Sequence, residues 1–473
     1  VFDSYNPVTS AIVAELEDIV GKNNVIHGDP ERMQDYSHDE TSGGDAHIPE
    51  VVVKPREARE IAAIMKLANR ERIPVTPRGA GSGLSGGAVP VYGGILLSVE
   101  RMNRILEIDR ENMTITVEPG VITNNISEAV QEYSLFYAGY PMSVEMCFIG
   151  GNVAENAGGG RAIKYGVTGR YVLGLEIVLP TGEIVQLGGK RIKDVTGYDL
   201  LHLMVGSEGT LGIFTKIVLR LMPLPVARVV LLVPFPDAAR AIGAVPRIIT
   251  QARVIPASVE FMDRLSVETG YAHIGETPPH PNIGAMLLIE VDAFSKEQAE
   301  AEYAAIVEVC LAAGALDVFV GDSPAKEKKM WRPRQVLAEA FKAIASAESS
   351  EDIVVPLAQI PALMPELERI AAQYNVFAPC FGHAGDGNLH VHLLKKSETP
   401  IEEWRARLPA MQEDLYRVVA RLGGTISGEH GIGSKRARYL PIVQDETLIE
   451  LQRRIKRAFD PLNILNPGKI FPA

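Results

Sequence analysis

The sequence predicts a multidomain α+β protein, and three observations carry that prediction. Strand-like apolar runs interleave with a helical face, two glycine-rich stretches punctuate the first half, and Pro223-Leu-Pro225 interrupts the chain before a new strand–helix alternation. A length of 473 residues sets a prior of about three domains. With 46% hydrophobic and 22% charged residues the composition is that of a globular protein with sizeable cores. A formal net charge of -12 without a long Lys/Arg run excludes nucleic acid or an anionic membrane surface as the main partner. The longest apolar runs, such as Val229 to Phe235, are too short to span a bilayer. Cys147, Cys310 and Cys380 are odd in number and far apart, which fits a reducing compartment and rules out an Fe–S cluster held by this chain alone. No secretory signal is read at the start, so the cytoplasm is the expected location, with membrane association only through a partner subunit.

In chain order, Glu50 to Lys54 reads as a strand, and Ile61, Ile64, Met65 and Ala68 after Pro55 mark one face of a helix. Ile73 to Pro77 is an extended segment that leads into the first glycine loop. Two more strand-like runs follow, Ile95 to Val99 and Met113 to Val117, and residues 171–188 and 211–222 continue the pattern. Beyond Pro223 a second domain is expected to run to Gly424. The tail carries an amphipathic helix from Glu446, ended by Asp460-Pro461, then the extended Asn466-Pro-Gly-Lys469. The expected division is therefore 1–223, 224–424 and 425–473.

The first glycine loop, Arg78-Gly-Ala-Gly81-Ser-Gly83-Leu-Ser-Gly86-Gly87, contains a literal G-x-G-x-x-G, with Glu100 near the spacing of a ribose-binding acid. A dinucleotide fingerprint requires the last glycine to open a helix. Here Ala88-Val-Pro90-Val-Tyr-Gly-Gly runs into a strand instead. Without a helix dipole, phosphates are held by successive backbone N–H groups of the loop, which glycines permit. The expectation is a pyrophosphate nest and not a Rossmann site. A second loop, Gly150-Gly-Asn-Val-Ala-Glu-Asn156-Ala-Gly-Gly-Gly160, is followed by Lys164-Tyr-Gly166, Thr196-Gly-Tyr-Asp199 and Gly206-Ser-Glu-Gly-Thr210. Together these imply backbone drawn close to a large flat ligand at several points.

The strongest chemical signal lies later, in Cys380-Phe-Gly-His383-Ala-Gly-Asp-Gly-Asn-Leu-His390-Val-His392 and Ser427-Gly-Glu429-His430-Gly-Ile-Gly433. Residues 389–394 alternate as a half-buried strand, so His390 and His392 share one face, while Leu389, Val391 and Leu393 take the other. The Gly-Asp-Gly-Asn turn places His383 across a hairpin-like bend from His390. Imidazole pairs of this kind suit Zn²⁺, Fe²⁺ or Mn²⁺, and a carboxylate such as Glu429 completes a two-His, one-carboxylate set. Three histidines in ten residues, from a total of 10 in the chain, outweigh the alternative of core histidines satisfied by hydrogen bonds.

The ordered motifs Pro77-Arg-Gly-Ala-Gly-Ser-Gly, Gly150-Gly-Asn-Val-Ala-Glu-Asn-Ala-Gly, Val205-Gly-Ser-Glu-Gly-Thr-Leu-Gly212, Gly382 to His390, Gly428 to Gly433 and Asn466-Pro-Gly-Lys469 resemble the FAD-linked 2-hydroxy acid dehydrogenases. That group, which includes the glycolate oxidase flavin subunit, D-lactate dehydrogenases and D-2-hydroxyglutarate dehydrogenase, lies in the vanillyl-alcohol-oxidase-type flavoprotein superfamily. The resemblance covers essentially the whole chain. It implies a two-subdomain FAD-binding domain, an antiparallel-sheet cap domain, and a C-terminal helical segment returning to the flavin domain. It also implies FAD contacts at Pro77, Arg78, Gly79, Ala80, Gly81, Ser82, Gly83, Ser85 and Gly86 of the first loop. Further contacts are implied at Gly150, Gly151, Asn152, Asn156, Gly158, Gly206, Glu208, Gly209 and Asn466. The histidine that attaches FAD covalently in some superfamily members is missing from the first loop, so FAD is expected to be non-covalent.

Carried over by position, His383, His390 and Glu429 match metal ligands, His430 the catalytic base, and Arg334 the arginine that clamps the substrate carboxylate. His392 stands where many relatives have Asn near the substrate. The stretch Ser349 to Pro356 lacks the lysine of the hydroxyglutarate enzymes, which puts recognition of a second carboxylate in doubt. The resemblance thus implies oxidation of a small D-2-hydroxy acid, D-lactate or glycolate, to the 2-oxo acid by hydride transfer to flavin N5. With no cluster cysteines and no NAD fold, the expected acceptor is an electron-transfer flavoprotein, an Fe–S subunit or a quinone. A homodimer and a hetero-complex are both left open. The alternatives are D-2-hydroxyglutarate oxidation, an O₂-using oxidase of phenols or alditols, and a non-catalytic flavin subunit.

Overall fold

Val51, Val52 and Val53 have no exposed surface, as expected of a strand covered on both faces. In the computed structural model, which describes residues 5–41 and 46–472, they form β2 (Val51–Val53). With β1 (Val25–Ile26), β3 (Val75–Arg78) and β4 (Ile95–Ser98) it makes a sheet in the order β1-β2-β4-β3. β4 runs parallel to β2 and β3, and β1 antiparallel to β2. The helix Ala58–Glu71 connects β2 to β3. Its Ile61, Ile64, Met65 and Ala68 are buried at helical spacing, in one cluster with Leu16 and Val20 of the helix Ser10–Val20.

A five-stranded antiparallel sheet follows, in the order β5-β6-β10-β8-β9, from β5 (Ile105–Asp109), β6 (Thr114–Val117), β8 (Val172–Val178), β9 (Ile184–Gly188) and β10 (Ile213–Arg220). β5 is not anticipated by the sequence pattern. It is an edge strand without a single buried residue, so it leaves no apolar signature. The short β7 (Leu135–Phe136) and β11 (Met222–Pro223) pair separately. After the helix Glu446–Phe459, capped by Asp445, the tail lies beside β3: Val75 N–H donates to Ile464 O at 2.7 Å, and Asn466 N–H to Val75 O at 2.7 Å. These parts group as one compact unit, Val1–Ala157, Val167–Pro223 and Glu429–Ala473.

The second unit comprises Gly158–Gly166 and Leu224–Gly428. It is built on one large sheet ordered β15-β12-β14-β13-β18-β19-β16, with β17 (Val376–Phe377) paired to β19. The other strands are β12 (Ala227–Phe235), β13 (Ser258–Asp263), β14 (Ala285–Ala293), β15 (Phe319–Gly321), β16 (Glu348–Val354), β18 (Cys380–His383) and β19 (Asn388–Lys395). All its pairings are antiparallel. Two boundaries differ from the sequence division. Residues 158–166 group with this unit, where Lys164 Nζ donates to Asp292 O at 2.9 Å and Tyr165 Oη to Asp292 Oδ2 at 2.6 Å. The unit also continues past Gly424, because Thr425 pairs with Val354 and both Ser427 and Gly428 bond Asp352.

Register shows that one face of this sheet is divided in character. Across one end run Glu290, Glu260, His383, Asn388, His390 and Asp352. The same face continues into a buried apolar cluster with Leu232, Met262, Met286, Leu288, Phe381 and Leu394, covered by Leu337 and Phe341 of the helix Leu337–Ile344. The apolar end holds the sheet together by burial. The polar end is where chemistry is available.

Candidate active site

The β18–β19 hairpin closes through Ala384 to Gly387, and Gly387 takes φ 84, a left-handed value that favours glycine. Its register pairs His383 with Asn388 and Phe381 with His390, so His383 and His390 are diagonal and not directly opposite. Their rings lie 5.3 Å apart at 89°. His383 Nδ1 bonds Glu260 Oε1, on the neighbouring β13. Glu260 Oε2 accepts from Arg334 Nε at 2.9 Å and Nη2 at 2.8 Å. Burial drives the Glu260 carboxyl upward, but facing His383 and Arg334 outweigh it and hold it down at about 2.

Arg334, in the helix Pro324–Gln335, therefore has its Nε side engaged by Glu260, and its guanidinium lies 4.4 Å from the centre of the Phe381 ring. The bond to Glu260 uses the Nε/Nη2 edge, and the Nη1/Nη2 edge is the other one. His392 shares a face with His390, as alternation requires, but its surroundings differ. It stacks on Phe381 at 5.3 Å and sits 5.0 Å from Phe341. Its Nδ1 faces Glu348 at 3.3 Å and its Nε2 faces Ser350 Oγ at 3.3 Å. Each ring nitrogen of His392 thus has a neighbouring oxygen, one of a carboxylate and one of a hydroxyl.

Behind His390, Asp352 accepts from Asn388 Nδ2 at 2.6 Å, and from Ser427 Oγ and Gly428 N–H at 2.8 Å each. The residue after Gly428 is Glu429. Glu429 and His430 open the last segment of the first unit, with His430 Nε2 3.7 Å from Glu429 Oε1.

In the first unit the glycine loop runs from β3 to β4 with no helix between, as the sequence predicts. Among the described residues, no backbone N–H from Gly79 to Ala88 donates to a protein acceptor. Pro77, Gly79, Ala80, Gly81, Ser82, Gly83, Ser85 and Gly86 border or form this stretch, which suits a pyrophosphate held by main-chain donors. Glu100 is tied to Lys54 at 2.7 Å and Ser98 Oγ at 2.9 Å, away from any ribose role. Arg78 donates to His38 O at 2.6 Å and Asp35 O at 3.1 Å, which braces the loop from its own side chain.

The second glycine stretch is helical only in its first half. Gly150, Gly151 and Asn152 sit in the first turn of the helix Ile149–Glu155, and Gly150 N–H donates to Pro119 O at 2.8 Å. A Cβ at Gly150 would meet Pro119 Cβ at 2.6 Å, so this glycine serves packing. Asn152 donates to Thr123 Oγ1 at 2.7 Å. Asn156 is the left-handed C-cap, and its Oδ1 accepts from Gly169 N–H at 2.8 Å. Glu208 accepts from Ile432 and Gly433 N–H at 2.8 and 2.6 Å, tying the two segments together between the turns at Gly206 and Gly209. Burial raises its carboxyl and, with Glu208 and Asp39 nearby, drives that of Glu155 well above the usual range. Asn466 Nδ2 donates to Gly87 O at 3.0 Å and Glu208 O at 2.9 Å. Gly158 belongs to the second unit. The Thr196 to Asp199 motif lies in a stretch exposed from 191 to 200, away from packed backbone.

Sequence reading missed Glu260 and Asp352. Their signal was available as acids on strands otherwise rich in buried residues, in Ser258-Val-Glu260-Phe-Met-Asp263 and Ser350-Glu-Asp352-Ile-Val.

Solved structures give the fold. The chain resembles 4-ethylphenol oxidase from Gulosibacter chungangensis with a TM-score of 0.79 at 20% identity, covering 99% of both chains, which gives a vanillyl-alcohol-oxidase-type flavoprotein fold. Residues 49–188 match the model of the FAD binding domain, and residues 224–470 that of the C-terminal domain of FAD linked oxidases. Whole-length relatives agree. The chain is 38% identical over 472 residues to a D-lactate dehydrogenase of Anaerostipes hadrus, covering 98% of each. It is 39% identical over 466 residues to the glycolate oxidase subunit GlcD of Bacillus subtilis, covering 98% of the chain and 97% of the relative. The chain belongs to the FAD-linked oxidases and is an FAD-linked oxidoreductase.

Proposed function

We propose that the protein oxidises small D-2-hydroxy acids to 2-oxo acids, D-lactate first and glycolate second, using non-covalent FAD and one divalent metal ion. The observation that carries this reading is the polar end of the second unit's sheet. There a buried guanidinium, Arg334, stands with two imidazoles, His383 and His390, around one carboxylate. A 2-hydroxy carboxylate calls for a cation at one end and for activation of its hydroxyl beside it. The names of the relatives, D-lactate dehydrogenase and glycolate oxidase subunit, support the substrate class.

Two imidazoles at right angles fit a divalent ion, and Glu429, one residue beyond the anchored Gly428, supplies the carboxylate of the set. When bound, the ion supplies Lewis acidity toward the hydroxyl and FAD a two-electron acceptor. Arg334 binds and orients the carboxylate through its Nη1/Nη2 edge. His430 takes the hydroxyl proton at Nε2, the nitrogen that faces Glu429. On β16 the residues sharing the face of His390 are Glu348, Ser350, Asp352 and Val354, none of them a cation for a second carboxylate, and this favours lactate over 2-hydroxyglutarate. Electrons leave to a protein or quinone acceptor. Among the described residues no helix is long and apolar enough to cross a membrane.

Anaerobic titration of the flavin spectrum with D- and L-2-hydroxy acids tests the reading. D-lactate is expected to bleach the flavin at the lowest concentration and glycolate next. Bleaching by D-2-hydroxyglutarate alone replaces the substrate, and bleaching by none identifies a non-catalytic flavin subunit.

A further inference from the structure

We propose that Glu260 is the positioning residue of this site, a single carboxylate that sets the tautomer of His383 with one oxygen and the orientation of Arg334 with the other. The inference rests on the functional reading above and deepens it. Glu260 has no exposed surface, and β13 holds it directly opposite His383 in register. Oε1 faces His383 Nδ1, so that nitrogen carries the hydrogen and Nε2 keeps the lone pair a metal ion requires. Oε2 takes both Nε and Nη2 of Arg334, at 2.9 and 2.8 Å, which turns the other edge of the guanidinium away from the sheet. Each oxygen has a separate partner, so the two halves of substrate recognition are held by one rigid group.

A Cβ at Gly160 would lie 2.7 Å from Glu260 Oε1 and 3.5 Å from His383 Nδ1, so the segment 158–166 passes here only because position 160 lacks a side chain. That accounts for a glycine whose role the sequence pattern left open. It also explains why a carboxylate is buried at this point. Its charge is matched by Arg334, and its geometry serves the imidazole.

The test compares Glu260→Gln with Glu351→Gln, a change to a second fully buried acid on the opposite face of the same sheet. Both FAD-loaded proteins are stripped of metal, then titrated with Zn²⁺ by chelator competition and reduced with D-lactate by stopped flow. Glu260→Gln is expected to weaken Zn²⁺ binding about 10–100-fold and to raise the half-saturating D-lactate concentration, with FAD retained. Glu351→Gln is expected to change neither. Selective ¹⁵N-histidine NMR gives a readout that requires no activity. His383 is expected as the Nδ1–H tautomer in the parent and as a mixture in Glu260→Gln, with Glu351→Gln like the parent. A folded Glu260→Gln protein with parental Zn²⁺ affinity and an unchanged His383 tautomer overturns the inference. A parent that neither binds Zn²⁺ nor is reduced by D-lactate overturns the functional reading alone, because the tautomer comparison still reports on Glu260.

Discussion

Glu260 and Glu351 are both completely buried in one sheet, on opposite faces, yet their partners belong to different chemistries. Glu351 is satisfied by neutral donors, Ser349 Oγ at 2.5 Å, Gln412 Nε2 at 2.9 Å and Tyr416 Oη. Glu260 faces a guanidinium and an imidazole. Neutral donors make a buried acid part of the packing between β16 and the helix Ile401–Arg421. A guanidinium and an imidazole are the partners that the proposed site gives it. Burial alone does not distinguish the two, and the partner list does.

Five experiments break or sharpen that comparison. The largest effect is expected from metal removal. Chelation should abolish D-lactate turnover while FAD stays bound, and elemental analysis finding no stoichiometric metal in fully active protein contradicts the metal set. Next, His430→Ala should slow flavin reduction by roughly 10²–10⁴ with substrate capture largely kept, as loss of a general base does. Reduction at the parental rate under saturating D-lactate, measured by stopped flow, assigns the proton to another group.

Arg334→Ala removes the cation from Glu260 as well as from the substrate. D-lactate capture should weaken by ~2–5 kcal/mol if the charge pair is desolvated, read from the concentration dependence of flavin bleaching. On the opposite face, Glu351→Gln should cost ~1–3 kcal/mol of stability in urea unfolding and leave the kinetics of flavin reduction unchanged. A kinetic effect of Glu351→Gln comparable with that of Arg334→Ala would erase the distinction between the faces.

Asp263, at the end of β13, offers the smallest and most specific test. It caps the helix Arg264–His273 through Ser266 N–H at 2.8 Å and accepts from Cys380 N–H at 3.0 Å. Burial pushes its carboxyl up to about 6. A folded-state value above the unfolded one means that its contribution to stability is fully present below the unfolded value and is lost as pH rises through about 6. The parent should therefore gain on the order of 1–3 kcal/mol relative to Asp263→Asn as pH falls from neutral toward 4. Parallel thermal midpoints for the two proteins across that range would show that Asp263 titrates normally.

Local pattern made much of this protein legible. Period-two alternation placed His390 and His392 on one face, the helical spacing of Ile61 to Ala68 marked a buried stripe, and the run of Ala88 to Gly94 into a strand left no helix after the first glycine loop. Each is a property of a few neighbouring residues, and backbone geometry is enough to decide it. In the second glycine stretch, composition does not show whether backbone N–H groups are open or engaged. In the structure those of the first turn bond Pro119 and Phe148.

What the sequence by itself determined is therefore the set of chemical groups and the faces on which they lie: the first glycine loop, the histidines, Arg334, and the Glu429-His430 pair. Only the tertiary structure decided which groups meet. Glu260 reaches His383 across 123 positions of sequence and Arg334 across 74, because β13 lies beside β18 in one particular register. Residues 158–166 join the second unit through Arg161, Lys164 and Tyr165, against acids that lie more than a hundred positions away. Periodicity specifies the side of a strand. The identity of its neighbour is set by long-range packing, which no local window of sequence contains.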